Sequence, residues 1–195
     1  MRLVFYLVLV FALGRCASST QLEEKALYQF VRDEDNGLTK TADADGFHLA
    51  MVWKPNDLIV KQQMDKGTKG EFDSLTNYFS KYLYFTLEMT RDGKDLETSF
   101  ASDPGSFAEK ISFLSSDFSQ NIQLVTKKDT TSVLECIYSR SYGMGVSQCL
   151  IVFNKPKENQ FEIEVKAYPI GFGKQSFPFI LSDIEKAPRL KTKFL

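Results

Sequence analysis

Imidazole and thiol are scarce in this chain of 195 residues, which carries one histidine and three cysteines. A zinc site built from His and Cys needs three or four ligands at set spacing, and no such cluster is present. A Ser-His-acid triad would have to use His48, and no Gly-x-Ser-x-Gly elbow exists to supply its serine. On the strand predicted over residues 47–54, alternation puts His48 opposite Phe47 and Trp53, and a polar strand face accounts for it.

Ligand-binding signatures are equally sparse. Gly143-Met144-Gly145 and Gly171-Phe172-Gly173 fit neither the dinucleotide nor the Walker pattern, so no nucleotide cofactor is implied. Asp43-Ala44-Asp45-Gly46 begins like a calcium loop but lacks the further ligands and the bidentate glutamate, and a hairpin turn explains it. Glu162 and Glu164 stand two apart on a predicted wet strand face beside Lys166, a solubilising pattern and not a glycosidase cleft. Enzyme is therefore the weaker class, and no catalytic, metal or cofactor residue is assigned.

A basic excess is also missing. The chain has 24 Lys and Arg against 25 Asp and Glu, and without Arg2 and Arg15 the count is 22 against 25, a formal charge of −3. Nothing in that balance draws the chain to nucleic acid or to anionic lipid.

Long apolar runs are absent except for one. Residues 3–13 form an unbroken apolar stretch after Arg2, closed by Leu13-Gly14-Arg15-Cys16 and the small residues Ala17, Ser18 and Ser19. A membrane-spanning helix needs roughly 20 apolar residues, so the run reads as an export signal. Leu13-Gly14-Arg15-Cys16 resembles the lipobox of bacterial lipoproteins, in which the cysteine takes a diacylglyceryl group and becomes the new N-terminus. Arg15 stands where that motif normally has Gly, Ala or Ser. With a Lys- and Phe-rich body, the chain resembles the small envelope lipoproteins of Bacteroidota-type bacteria. The resemblance implies a lipid-modified Cys16, a signal over residues 1–16 and attachment to the cell envelope, with the outer membrane facing periplasm or cell surface as the expected site. The rival is an ordinary signal cut near residues 17–19, which leaves a soluble secreted product.

What remains, residues 17–195, is long enough to bury a core and is expected to be one globular domain. Thr20 and Glu23 match a capping box ahead of an apolar face of Leu22, Ala26, Leu27, Phe30 and Val31. Hairpin strands are predicted over residues 38–42 and 47–54, and helices over 57–64, 72–82 and 104–118, the last capped by Asp103-Pro104. A strand with Leu83, Phe85, Leu87 and Met89 inward ends at the Asp92-Gly93 turn. Four further strands are expected at 121–126, 132–139, 146–154 and 160–168, each antiparallel to the next because the turns are short. Pro178 confines residues 177–181 to an edge strand, and the basic tail from Pro188 is expected to lie along the surface. The architecture that fits is α+β, an antiparallel sheet of about six strands with three or four helices on one face.

Two features bear on function. A hairpin turning about Tyr142-Gly143 places Cys136 directly opposite Cys149, which predicts a disulfide in an oxidising compartment. The bland reading is two reduced cysteines packed as small hydrophobes. Tyr142, Met144 and Phe172 are predicted to be aromatic or apolar loop tips of the type found at protein contacts. The expectation is a lipid-anchored envelope protein that acts by protein-protein contact in a membrane-associated assembly. The alternatives are a periplasmic inhibitor or immunity-like binder of an enzyme, and a secreted hydrolase with an unrecognised site.

Overall fold

A computed structural model of the protein describes residues 20–64 and 68–192, and the predicted signal and Cys16 lie outside them. The chain is α+β, as its pattern predicts, but the strands divide between a five-stranded and a four-stranded sheet, with one separate two-stranded pair, instead of filling one sheet.

Residues 21–22 form a short strand, β1 (Gln21–Leu22), before helix α1 (Glu24–Arg32). The expected capping box does not form, because Glu23 is the N-cap and makes no side-chain cap, while the Thr20 carbonyl accepts from Arg189 N at 2.9 Å in an extended pairing. β2 (Thr39–Ala44) and β3 (Phe47–Lys54) make the predicted hairpin. Asp45 and Gly46 both adopt positive φ at its tip, 52° and 81°, the geometry of a tight hairpin turn. α2 (Asn56–Gln63) and α3 (Lys69–Phe79) follow, and α3 opens on a true capping box between Thr68 and Glu71. β4 (Tyr82–Arg91) buries Leu83, Phe85, Leu87 and Met89 on one face as its alternation requires.

The five-residue α4 (Leu96–Phe100) falls between the Asp92-Gly93 turn and Asp103, where the pattern predicts no element. α5 (Pro104–Ser112) has Asp103 as its N-cap, and its continuation, a wider π turn over Phe113–Asp117 and then a tighter 3-10 turn over Phe118–Asn121, brings Phe113, Leu114 and Phe118 into the core. Strands β5 (Ile122–Val125), β6 (Thr130–Ser132), β7 (Glu135–Ser139), β8 (Ser147–Asn154), β9 (Gln160–Ala167) and β10 (Gly173–Ile180) come next. α6 (Leu181–Lys186) and β11 (Arg189–Leu190) end the described chain. β11 pairs in parallel with β1, so the basic tail is tied down at Arg189 and Leu190.

The first sheet has the order β2-β3-β4-β8-β7 and the second β10-β9-β5-β6, every pair antiparallel. Their inner faces meet through aromatic rings: Phe85 of β4 lies 4.9 Å from Phe179 and 6.4 Å from Phe161, centroid to centroid. Burying each such ring stabilises the fold by about 1.5–3 kcal/mol. The chain changes between these sheets three times, from β4 to β5, from β6 to β7 and from β8 to β9. Short turns therefore do not make every successive pair neighbours, and this is where the single-sheet expectation fails.

The helices do not share one face either. Ile59 of α2 and Phe79 of α3 cover Tyr82, Tyr84 and Val152 on the outer face of the first sheet. The turns after α5 pack against β5, β7 and β9, closing the side between the sheets. Among the described residues no helix is long and apolar enough to cross a membrane.

Candidate functional site

The loop from β7 to β8, residues 140–146, is held from below by two buried carboxylates. Asp95, 1% exposed, caps α4 by accepting from Thr98 N at 2.8 Å through Oδ1. Its Oδ2 accepts from Gly143 N at 3.1 Å and from Gly145 N at 3.4 Å. Glu97, fully buried, accepts from Ser141 N at 3.2 Å and from Ser147 Oγ at 2.6 Å. Ser147 Oγ in turn accepts from Leu96 N at 2.9 Å, and Ser141 Oγ donates to Val146 O at 2.6 Å. Gly143 and Gly145 take φ of 71° and 81° with open space where a Cβ would stand, so backbone conformation, not crowding, favours glycine there.

Burial pushes the Asp95 carboxyl toward a higher pKa, but the donations from Thr98, Gly145 and Gly143 outweigh it and hold the group below its ordinary value. The carboxylate is thus ionised at neutral pH with its charge spread over backbone amides. The loop is preorganised, and it presents Tyr142 at 57% and Met144 at 78% exposure. β7 pairs only with β8 and so forms an edge of its sheet. Ile137 on β7 and Leu134, which precedes β7 at the end of the hairpin away from the loop, are also exposed. Four of the eight large hydrophobics exposed among the described residues thus fall along this hairpin, between positions 134 and 144.

Phe172 does not belong with them. It is 1% exposed and packs edge-on against Phe47 with centroids 5.3 Å apart. Gly171 at φ 114° and Gly173 at φ 66° turn the chain inward, and Phe47 Cε2 lies 3.5 Å from where a Gly171 Cβ would be. The glycines that read as loop mobility instead let an aromatic ring enter the core.

The cysteines meet, though not as predicted. Cys136 stands opposite Ile151 and Cys149 opposite Tyr138, a two-residue slip from the expected register. The turn is centred one residue later because Met144 N closes on Ser141 O and Asp95 holds both glycines. Cys136 and Cys149 are therefore diagonal neighbours, and both are free thiols with their Sγ atoms 2.9 Å apart.

A second feature is a polar cavity of about 410 Å³ where the end of β3 meets α3, α6 and β11. Asp57 and Arg189 form a two-point ion pair on its wall, and the carboxylate together with this contact holds the guanidinium above its ordinary pKa. Lys155 pairs with Glu185 at 2.7 Å on the same wall. Trp53 Nε1 and Thr76 Oγ1, both on lining residues, are buried without a hydrogen-bond partner. The carboxylates of both pairs already have cationic partners, which leaves neither poised as a general base.

The remaining sequence candidates are placed simply. His48 Nδ1 lies 2.8 Å from Asp43 Oδ1 on the solvent face of the β2–β3 hairpin. Glu164 pairs with Lys174 at 2.6 Å and accepts from Gln123, while Glu162 accepts from Ser176. Among the described residues no three His, Cys, Asp or Glu side chains are grouped to hold a metal ion. Cys16 lies outside the described residues.

Asp95, Glu97 and Ser147 were not singled out from the sequence. Asp95 carried a usable signal, the Asp-x-x-Thr spacing to Thr98 that marks a helix N-cap. Nothing local marks Glu97 as buried, since its partners are 44 to 50 residues away. Compared with protein-family models, with curated proteins and with solved structures, the chain matches none of them.

Proposed function

We propose that the protein is an envelope protein anchored by lipid on Cys16, which works by protein-protein contact through the β7–β8 hairpin and catalyses no reaction. The concentration of exposed Leu134, Ile137, Tyr142 and Met144 on one hairpin, with its loop fixed by Asp95 and Glu97, carries this reading. A rigid loop loses little conformational entropy on docking, so its apolar side chains convert more of their burial into affinity.

The anchor supports it from the other end. Thr20 is bonded to β11, and Cys16 precedes it by four positions. A lipid on Cys16 would hold the domain against the membrane surface, where assemblies of envelope proteins form. The preorganised loop also favours the second reading, a periplasmic inhibitor of an enzyme, because inhibitors of that type use rigid loops.

Two measurements test the proposal. Intact mass of protein recovered from the envelope should show a chain beginning at Cys16 with acyl groups, lost in Cys16→Ser. A photo-crosslinker at Met144 should capture discrete membrane-associated proteins, while one at Tyr168, exposed outside the hairpin, should not. An unlipidated chain that gives a single soluble one-to-one complex through Met144 would replace the anchored reading with the inhibitor. Equal crosslinking at both positions would overturn the hairpin assignment.

A further inference from the structure

The two strand thiols are built asymmetrically. Cys149 is fully buried on β8, between Leu87 of β4 and Tyr138 of β7. Cys136 lies on β7, the edge strand, and is only partly covered. Their sulfurs are 2.9 Å apart, so closing to a bond of about 2.05 Å needs less than 1 Å of travel. Cys136 is thus the partly exposed thiol of the pair and Cys149 the enclosed one. The contact supports the same division of roles: it lowers the pKa of Cys136, while the contact and burial raise that of Cys149.

We propose that Cys136 and Cys149 are a dithiol that exchanges with external disulfides, with Cys136 as the attacking thiol and Cys149 as the resolving thiol. The Cys136 thiolate attacks one sulfur of the external disulfide, whose S–S bond breaks and whose other half leaves as a thiolate. A mixed disulfide on Cys136 results. Cys149 then gives its proton to the departed thiolate and attacks Cys136 Sγ, expelling the second half, which takes the proton that Cys136 lost to solvent. Two protein thiols are oxidised to one disulfide, and one external disulfide is reduced to two thiols. The product ties the edge strand to its neighbour at the base of the hairpin. This inference stands on the thiols alone and does not depend on what the hairpin contacts.

The test uses the full chain carrying Cys16→Ser, purified reduced and incubated with oxidised glutathione, with intact mass as readout. The two-thiol protein should lose two hydrogens and show no lasting adduct. Adding Cys149→Ser should trap one glutathione on Cys136, and adding Cys136→Ser should leave Cys149 unmodified. Where a serine variant does not fold, alkylation of the reduced two-thiol protein decides: Cys136 should react with iodoacetamide at least tenfold faster than Cys149, by peptide mapping. Retention of both free thiols alongside an unmodified Cys149→Ser variant would overturn the dithiol. Equal alkylation of the two cysteines, or an adduct on Cys149 in the Cys136→Ser variant, would overturn the assigned roles.

Discussion

Asp95 and Gly143, 48 residues apart in sequence, are joined by a 3.1 Å hydrogen bond from the Gly143 amide to the Asp95 carboxylate. One side chain thereby caps α4 and fixes the β7–β8 loop. Asp95→Ala removes the cap and the acceptor of both loop amides together. It should cost about 1–2 kcal/mol in urea unfolding, on the scale of a lost N-cap. Amide exchange at Gly143 and Gly145 should rise in the same variant. Unchanged exchange there would mean that the loop holds its shape without the carboxylate.

The same group sets an acid dependence. Asp95 is held below its ordinary value of 3.8, so the unfolded chain takes up the proton first. Its contribution is complete above that value and is lost as pH falls through the lower folded one. Glu164, held down by Lys174, acts in the same direction. Urea midpoints measured from pH 6 to pH 3 should fall more steeply for the wild type than for Asp95→Asn. Superimposable acid limbs would remove Asp95 from the account.

Phe172 and Met144, which the sequence presents as equivalent loop tips, should behave oppositely. Phe172→Ala empties a ring site against Phe47 and should cost about 3–5 kcal/mol. Met144→Ala removes an exposed side chain and should change stability by no more than about 0.5 kcal/mol. Capture of partner proteins should show the reverse order, with Met144→Ala impaired and Phe172→Ala, below its melting temperature, normal. Denaturant curves and pull-downs on the same preparations separate the two.

The contrast shows where local pattern stops being informative. Period-two alternation identified the buried face of β4 and β9, because a half-buried strand has no other way to place its side chains. Positive φ at Asp45-Gly46 and at Asp92-Gly93 followed from turn chemistry alone. Alternation does not say which strand lies beside which, so β8 and β9, joined by five residues, read as a hairpin although they belong to different sheets. The Thr-x-x-Glu pattern occurs at Thr20 and again at Thr68, and only the second is a capping box, since Thr20 is held extended by Arg189. Glycines at 171 and 173 permit an exposed tip or an inward turn equally well, and the partner that decides, Phe47, is more than a hundred residues away. The exposed tips Tyr142 and Met144 were legible in the sequence, but the carboxylates that shape their loop depend on partners remote in sequence.

The pairing of Asp57 with Arg189 should control the joint between β1 and β11. Asp57, nearly buried, accepts from Arg189 Nη2 at 3.0 Å, from Arg189 Nε at 3.2 Å and from Leu190 N at 2.9 Å. These contacts fix β11, whose neighbouring backbone bonds, Arg189 N to Thr20 O and Lys191 N to Leu22 O, hold β1. The Arg189 head is half exposed, so solvent screens the ion pair and the larger loss in Asp57→Ala is the unsatisfied, buried Leu190 amide. The variant should lose about 2–3 kcal/mol, and exchange should quicken at Arg189 and Lys191 before it does in the sheets. Arg189→Lys keeps the charge but not the two-point geometry, and should fall between the two. Residues 20–22 should then become sensitive to protease, because β1 is no longer held by β11. Protection that persists in Asp57→Ala would show that β1 and β11 hold each other without this carboxylate.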